Sequence, residues 1–321
     1  VSSVTDIGSM FMNSQFNGDI SNWDVSSVTD MSSMFYGATS FNQNINDWNV
    51  ESVTNMANMF SGCSEFNSPL NDWITESLTS TSYMFHDCPK FNQPIEKWNT
   101  SNVTNMSYMF SFATSFNQSL NGWITKRVEN FRGMFYGASK FNRSLYNWKT
   151  YNAKRMGFMF NSAFQFDQDI SKWNTINVET MESMFHNAKT FNQDISNWDV
   201  TNVINMKYMF YNAERFDQPI EKWDVESLRM WDNMFKGAHL MLDYHNTFDT
   251  PPQTLSNTYK ITFDLVVTNG SLTVSSGSLS QSYTSSGSYT LIGIPATGSG
   301  NLNFTAASNF IGTVDNISVK D

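Results

Sequence analysis

Apolar residues in this chain return on a fixed 25-residue beat. Trp23, Trp48, Trp73, Trp98, Trp123, Trp148, Trp173, Trp198 and Trp223 keep it without a slip. A Met-Phe pair repeats from Met34-Phe35 to Met234-Phe235. A second phenylalanine, followed by Asn or Asp, runs from Phe41-Asn42 to Phe216-Asp217, and an aliphatic row runs from Ile45 to Ile220. Val4, Met10, Phe11, Phe16 and Ile20 form an earlier unit that is one residue shorter between its two phenylalanines. Within a unit, Val28, Met31, Met34, Phe35 and Ala38 fall at helical spacing, which predicts a short helix at about residues 29–37, capped by Thr29 or a neighbouring Ser. Phe41 through Trp48 predicts a brief strand and turn. Stacked units then form an α/β repeat solenoid over residues 1–240, each rung a short strand plus a short helix burying its apolar side against its neighbours. Rungs spaced as paired strands, about 4.8 Å apart, give an array about 45 Å long. The Asn row is expected to bond the backbone of the next rung.

The beat decays after Phe235: Trp231 stands where methionine is usual, and Pro251-Pro252 follows. Residues 241–256 read as cap and linker, with Leu240, Met241, Leu242 and Tyr244 available to cover the last apolar face. From 257 to 321, Ser, Thr and Gly dominate and Trp and Met vanish. Tyr259, Ile261, Phe263, Leu265 and Val267 alternate with polar residues, predicting a half-buried strand. Asn269-Gly270 predicts a hairpin turn. Further strands at Leu279–Tyr283, Tyr289–Ile294, Leu302–Thr305 and Phe310–Val319 complete a small antiparallel β-sandwich. A piece of this size is marginal alone, so it is expected to pack against the repeats, an upstream segment or another copy of itself.

Chemistry that occurs once is scarce in a sequence that occurs nine times, which argues against an enzyme. No catalytic residue, cofactor or metal site is expected. His86 and His186 lie four rungs apart, His239 and His245 lie near the cap, and Asp19, Asp169 and Asp194 do not form a calcium pattern. No apolar run is long enough to span a membrane. Sequons begin at Asn102, Asn142 and Asn316. Cys63 and Cys88, also 25 apart, occupy a slot held elsewhere by alanine. A disulfide between adjacent rungs suits the stacking distance; two small buried thiols suit side chains that point the same way.

The net charge of −10 disfavours nucleic acid. One segment reverses it: Lys126, Arg127, Arg132, Lys140, Arg143, Lys149, Lys154 and Arg155 face a single acid, Glu129. Stacking is expected to gather them into a band suited to an anionic glycan or an acidic protein. An outward aromatic face is expected from Tyr83, Tyr108, Phe158 and Tyr208 in one row and Tyr36, Tyr136 and Tyr211, with His86 and His186, in the next.

The motif stands complete in "VTNMSYMFSFATSFNQSLNGW" (103–123). Over residues 1–240 the chain resembles the BspA-like leucine-rich repeats of bacterial surface proteins and mycoplasma lipoproteins. That resemblance implies an extracellular, non-enzymatic, adhesive or structural role and supplies no catalytic residue. "SGNLNFTAASNFIGTVDNISVKD" (299–321) resembles the terminal strands of carbohydrate-binding-type jelly rolls in marine phage structural proteins. Together they imply a virion fibre or capsid decoration protein that recognises a host surface or glycan and oligomerises through its C-terminal module. A cell-surface adhesin is the alternative, and a polysaccharide depolymerase a distant third. Because Val1 falls inside a repeat, a leader or further domain is expected upstream.

Overall fold

A computed structural model of the chain describes residues 3–220, 222–238, 259–276, 279–294, 303–307 and 311–320. It divides into two compact units, Val1–Met241 and Leu242–Asp321. The expected cap at 240–244, Pro251-Pro252, His239 and His245 lie outside the described residues.

In the first unit the rungs stack as the 25-residue period requires, but they contain no helix among the described residues. The expected strand-plus-helix rung is therefore wrong. Each rung is a run of overlapping β-turns. In the rung around Met106–Phe116, the N–H groups of Met109, Ser111, Ala113 and Phe116 donate to the carbonyls of Met106, Tyr108, Phe110 and Ala113. The intervening N–H groups of Met106, Tyr108, Phe110 and Phe112 leave the rung and donate to Asn130, Arg132, Met134 and Tyr136. A helix would keep those donors to itself. Two of the turns carry positive φ at their third position, at Tyr108 (φ 54) and Phe112 (φ 57), the mark of a type II turn. Successive turns set inward side chains three and four residues apart, which is why the pattern imitates a helix.

The expected strand at 41–48 is also absent. Parallel pairing is one residue wide and falls elsewhere, from Asp6 and Asp30 through Asn55, Ser80, Asn105 and Asn130 to Met230. The Phe-Asn segment is instead held by side chains. Asn42 N–H donates to Asn17 Oδ1 at 3.0 Å, Asn67 to Asn42 at 2.8 Å, and the series continues through Asn117, Asn142 and Asp167 to Asp217. Gln43, Gln118, Gln193 and Gln218 bond the same residues of the preceding rung, adding a second tie.

Inside, three aromatic rows run the length of the stack. The Met-Phe phenylalanines follow one another at 5.6–5.7 Å, and the tryptophans at 5.9–6.5 Å. Within a rung the two phenylalanines stack face to face, as Phe85 and Phe91 do at 3.9 Å. From the second rung on these rings are buried, each contributing about 1.5–3 kcal/mol. The first rung is one residue shorter, its Asp6 pairing with Asp30, and leaves Val4, Met10 and Met12 exposed. Cys63 and Cys88 are free and buried; their thiols donate to Phe35 O and Phe60 O. Burial pushes the Cys63 thiol up to about 12 and the Cys88 thiol well above its ordinary value.

Among its described residues the second unit contains six strands: β1 (Tyr259–Asn269), β2 (Leu272–Ser276), β3 (Leu279–Tyr283), β4 (Gly287–Ile294), β5 (Asn303–Ala306) and β6 (Ile311–Lys320). They form two three-stranded antiparallel sheets, β4-β1-β6 and β3-β2-β5. Asn269-Gly270 is consequently not a hairpin turn: β1 and β2 belong to different sheets, and Gly270 (φ 82) carries the chain from one to the other. Phe263 and Leu265 of β1 bury against Leu272, Val274, Tyr283 and Phe304 of the other sheet. Phe263 meets Tyr283 and Phe304 edge-on at 5.3 and 5.4 Å.

Candidate functional site

The most distinctive surface of the repeat unit grows out of its turn chemistry. The two positive-φ slots of each rung hold Ser33 and Gly37 in one unit, Asn58 and Gly62 in the next, Ser183 and Asn187 further on. These are residues that tolerate a left-handed backbone. Four rungs depart from that rule. One has Tyr208 in the first slot (φ 57); in the other three Tyr83, Tyr108 and Phe158 take the first slot and Phe112 takes the second, with φ between 54 and 61. A bulky side chain there costs on the order of 1–2 kcal/mol.

The rings of those three rungs join neighbours into a closed circuit of contacts. Tyr83 stacks on Tyr108 at 4.7 Å, and Arg132 Nε–H donates to the Tyr108 hydroxyl at 3.1 Å. The Arg132 guanidinium carbon lies 4.5 Å from the centre of the Phe158 ring. Phe158 leads to Tyr136 at 6.3 Å, Tyr136 to Phe112 at 4.8 Å, Phe112 to His86 at 6.1 Å, and His86 back to Tyr83 at 5.5 Å. Two glycines make room. A Cβ on Gly133 would sit 2.2 Å from Tyr108 Cε1, and one on Gly137 would sit 2.6 Å from Phe112 Cδ1. The side chains are half-buried by one another, apart from Phe112, which is 40% exposed. Ser111 is fully buried with its Oγ unpartnered, and His86 Nδ1 is likewise unpartnered. Burial lowers the pKa of His86, against the opposing influence of Asp87 and the Ser111 carbonyl.

Of the aromatic face expected from sequence, Tyr83, Tyr108, Tyr136 and Phe158 come together here. Tyr208 and Tyr211 form a separate cluster with His186, which lies 4.8 Å from Tyr211. Tyr36 stands exposed in an earlier rung. Phe112, Gly133 and Gly137 escaped sequence reasoning, although an aromatic interrupting a row of Gly, Asn and Ser was a usable signal.

The basic residues occupy several positions around the rung. Arg132 is half-buried within the circuit, with Glu182 3.6 Å from its Nη2. Lys126, Arg127, Lys140, Arg143, Lys149, Lys154 and Arg155 are exposed. Arg127 donates to Asn102 Oδ1, Arg143 to Asn117 O, and Lys154 pairs with Glu129 at 2.8 Å. Arg127 and Glu129 also line an open hollow of about 690 Å³ with Thr79, Thr104, Asn102 and Asn152. Among the described residues no group of three His, Cys, Asp or Glu side chains is placed to hold a metal ion, and no helix is long and apolar enough to cross a membrane.

Near-identical rungs with one unusual lateral face define a tandem-repeat protein. Residues 1–88, 68–170 and 146–248 each match the family described as "Mycoplasma protein of unknown function, DUF285", and the chain belongs to that family. Tandem copies of this repeat point to a surface-exposed repeat protein. No curated protein and no solved structure matches the chain. The family matches end at residue 248, so the likeness of residues 299–321 to phage jelly rolls gains no support from them.

Proposed function

We propose that this protein is a non-enzymatic adhesin, a rigid repeat scaffold that holds its lateral aromatic circuit out to a partner on another surface. One observation carries this reading: Tyr83, Tyr108, Phe112 and Phe158 occupy left-handed backbone positions that neighbouring rungs fill with Gly, Ser or Asn. Local conformational energy opposes aromatics at these sites, and the buried core does not need them. Strain retained at a surface cluster is the pattern expected where side chains serve recognition. The rungs beneath supply rigidity, since each is tied to the next through backbone, Asn and Trp hydrogen bonds.

Membership of the mycoplasma repeat family supports a surface-exposed setting for this scaffold. The test is attachment of beads coated with the whole chain to a panel of animal-cell and bacterial surfaces, alongside Phe112→Asn and Tyr136→Ser proteins. Wild-type beads should adhere and the variants should lose most of that adhesion at unchanged melting temperature. Equal adhesion by all three would refute the reading, and release of reducing ends from a polysaccharide would replace the adhesin with an enzyme.

A further inference from the structure

We infer that Arg132 makes the aromatic circuit a site for a carboxylated pyranose, a uronic or sialic acid residue of a glycan. This rests on the adhesin reading above and narrows it to a ligand class. Of the basic residues in this segment, Arg132 alone has its guanidinium fixed on an aromatic face. Its Nε–H is held by the Tyr108 hydroxyl, and its plane is held by the Phe158 ring. Gly157 clears the space: a Cβ there would lie 3.3 Å from Arg132 Nη1.

The Nε bond is the only side-chain hydrogen bond of Arg132 among the described residues. Its four remaining donors, on Nη1 and Nη2, form the flat edge that matches a carboxylate through two parallel bonds. Glu182 approaches Nη2 at 3.6 Å, too far for a hydrogen bond, and with 27% of its side chain exposed it can be displaced. Thus the edge is pre-aimed, positively charged and partly desolvated, but not satisfied within the chain. Desolvation strengthens a charge-assisted bond made there.

The rest of the circuit suits a sugar. Tyr83 and Tyr108 present stacked rings beside the guanidinium, and the apolar C–H face of a pyranose packs on such rings while its hydroxyls stay in water. The Tyr and Arg composition, half-buried and preorganised, is that of a binding hot spot. A neutral sugar would use the rings alone. A carboxylate at ring-substituent distance would add the Arg132 contact, and preference for the acid follows.

The test measures binding of the whole chain to sialylated oligosaccharides, to uronate-containing oligosaccharides and to their neutral counterparts. Three variants accompany it: Arg132→Gln, Arg132→Lys and Glu182→Gln. Wild-type protein should prefer one carboxylated set at least about tenfold over its neutral counterpart, a margin within the range of one charge-assisted contact; which set wins identifies the source of the acid. Arg132→Gln should erase the preference while leaving weak neutral binding. Arg132→Lys should lose most of it, because an ammonium cannot make paired bonds. Glu182→Gln should strengthen acid binding by removing the competing carboxylate. Should Arg132→Gln fail to fold, Tyr108→Phe, which frees Nε without removing charge, should lower the preference several-fold. Adhesion that persists with no glycan preference, or with preference for sulfated sugars only, overturns this inference and leaves the adhesin standing. Loss of all adhesion overturns both, and an acid preference that survives Arg132→Gln overturns the role of Arg132.

Discussion

The indole Nε1–H of Trp148 donates to the carbonyl of Leu120, a residue of the preceding rung, at 3.1 Å. The same carbonyl accepts the backbone N–H of Trp123 from its own rung. Every tryptophan from Trp48 to Trp223 makes this contact with the Ile or Leu 28 residues before it. The indole is thus both a filler of the core and a cross-tie, which accounts for a row that never becomes Phe or Leu.

Trp148→Phe should therefore cost about 2–4 kcal/mol, the sum of a lost buried hydrogen bond and a partly filled cavity. Urea unfolding of the whole chain measures it. Trp23→Phe, in the half-buried first rung, should cost clearly less.

The Asn row distinguishes acceptor from packing. Asn117 Oδ1 accepts the Asn142 N–H at 3.0 Å, and Asp167 fills the equivalent position two rungs on. Asn117→Asp should be close to neutral at pH 7, because a carboxylate accepts the same bond. Asn117→Ala leaves a backbone donor unmet and should cost about 1–3 kcal/mol in the same unfolding assay.

Gly133→Ala should be more harmful than a surface glycine replacement usually is. It meets φ +60 and a ring atom at 2.2 Å, so the Tyr108 ring must leave its place. A loss of about 1–3 kcal/mol is expected. Adding Tyr108→Ser should recover the steric part but not the backbone part, a coupling that a double-mutant cycle reads directly.

The histidines give the protein a pH response. Burial depresses His86 and His186, so the unfolded chain takes up protons more readily than the folded one. Stability should be fully present above the ordinary histidine value, about 6.5, and fall as pH drops through it toward the folded-state values. Urea midpoints at pH 7.5 and 5 should differ, and the double variant His86→Gln, His186→Gln should flatten the difference within that window.

Periodicity alone revealed the stacking, the buried rows and the purpose of the Asn ladder, because a side chain repeated every 25 residues meets its own copy in the next rung. The rung's interior was misread for a physical reason. Overlapping turns and a helix both bring every third or fourth residue to one side, so Val28, Met31, Met34 and Phe35 fit either. The signal that separates them is the row Gly37, Gly62, Asp87, Gly137, Asn187 and Gly237, where a helix would have no use for repeated left-handed residues. At Asn269-Gly270 the motif was right about a tight turn and silent about which sheet comes next. The aromatic candidates were legible as rows, but their closure through Arg132 depends on side-chain reach that spacing does not encode.

The surface rings serve recognition and not stability. Melting and cell-attachment measurements on a single sample of the triple variant Tyr83→Ser, Tyr108→Ser, Phe158→Ser, which installs the residue that Ser33 and Ser183 place in the same slot, test this directly. The variant should melt no lower than the wild type and should lose attachment. Attachment that survives the three substitutions, or a stack that melts early without its surface rings, would contradict that role.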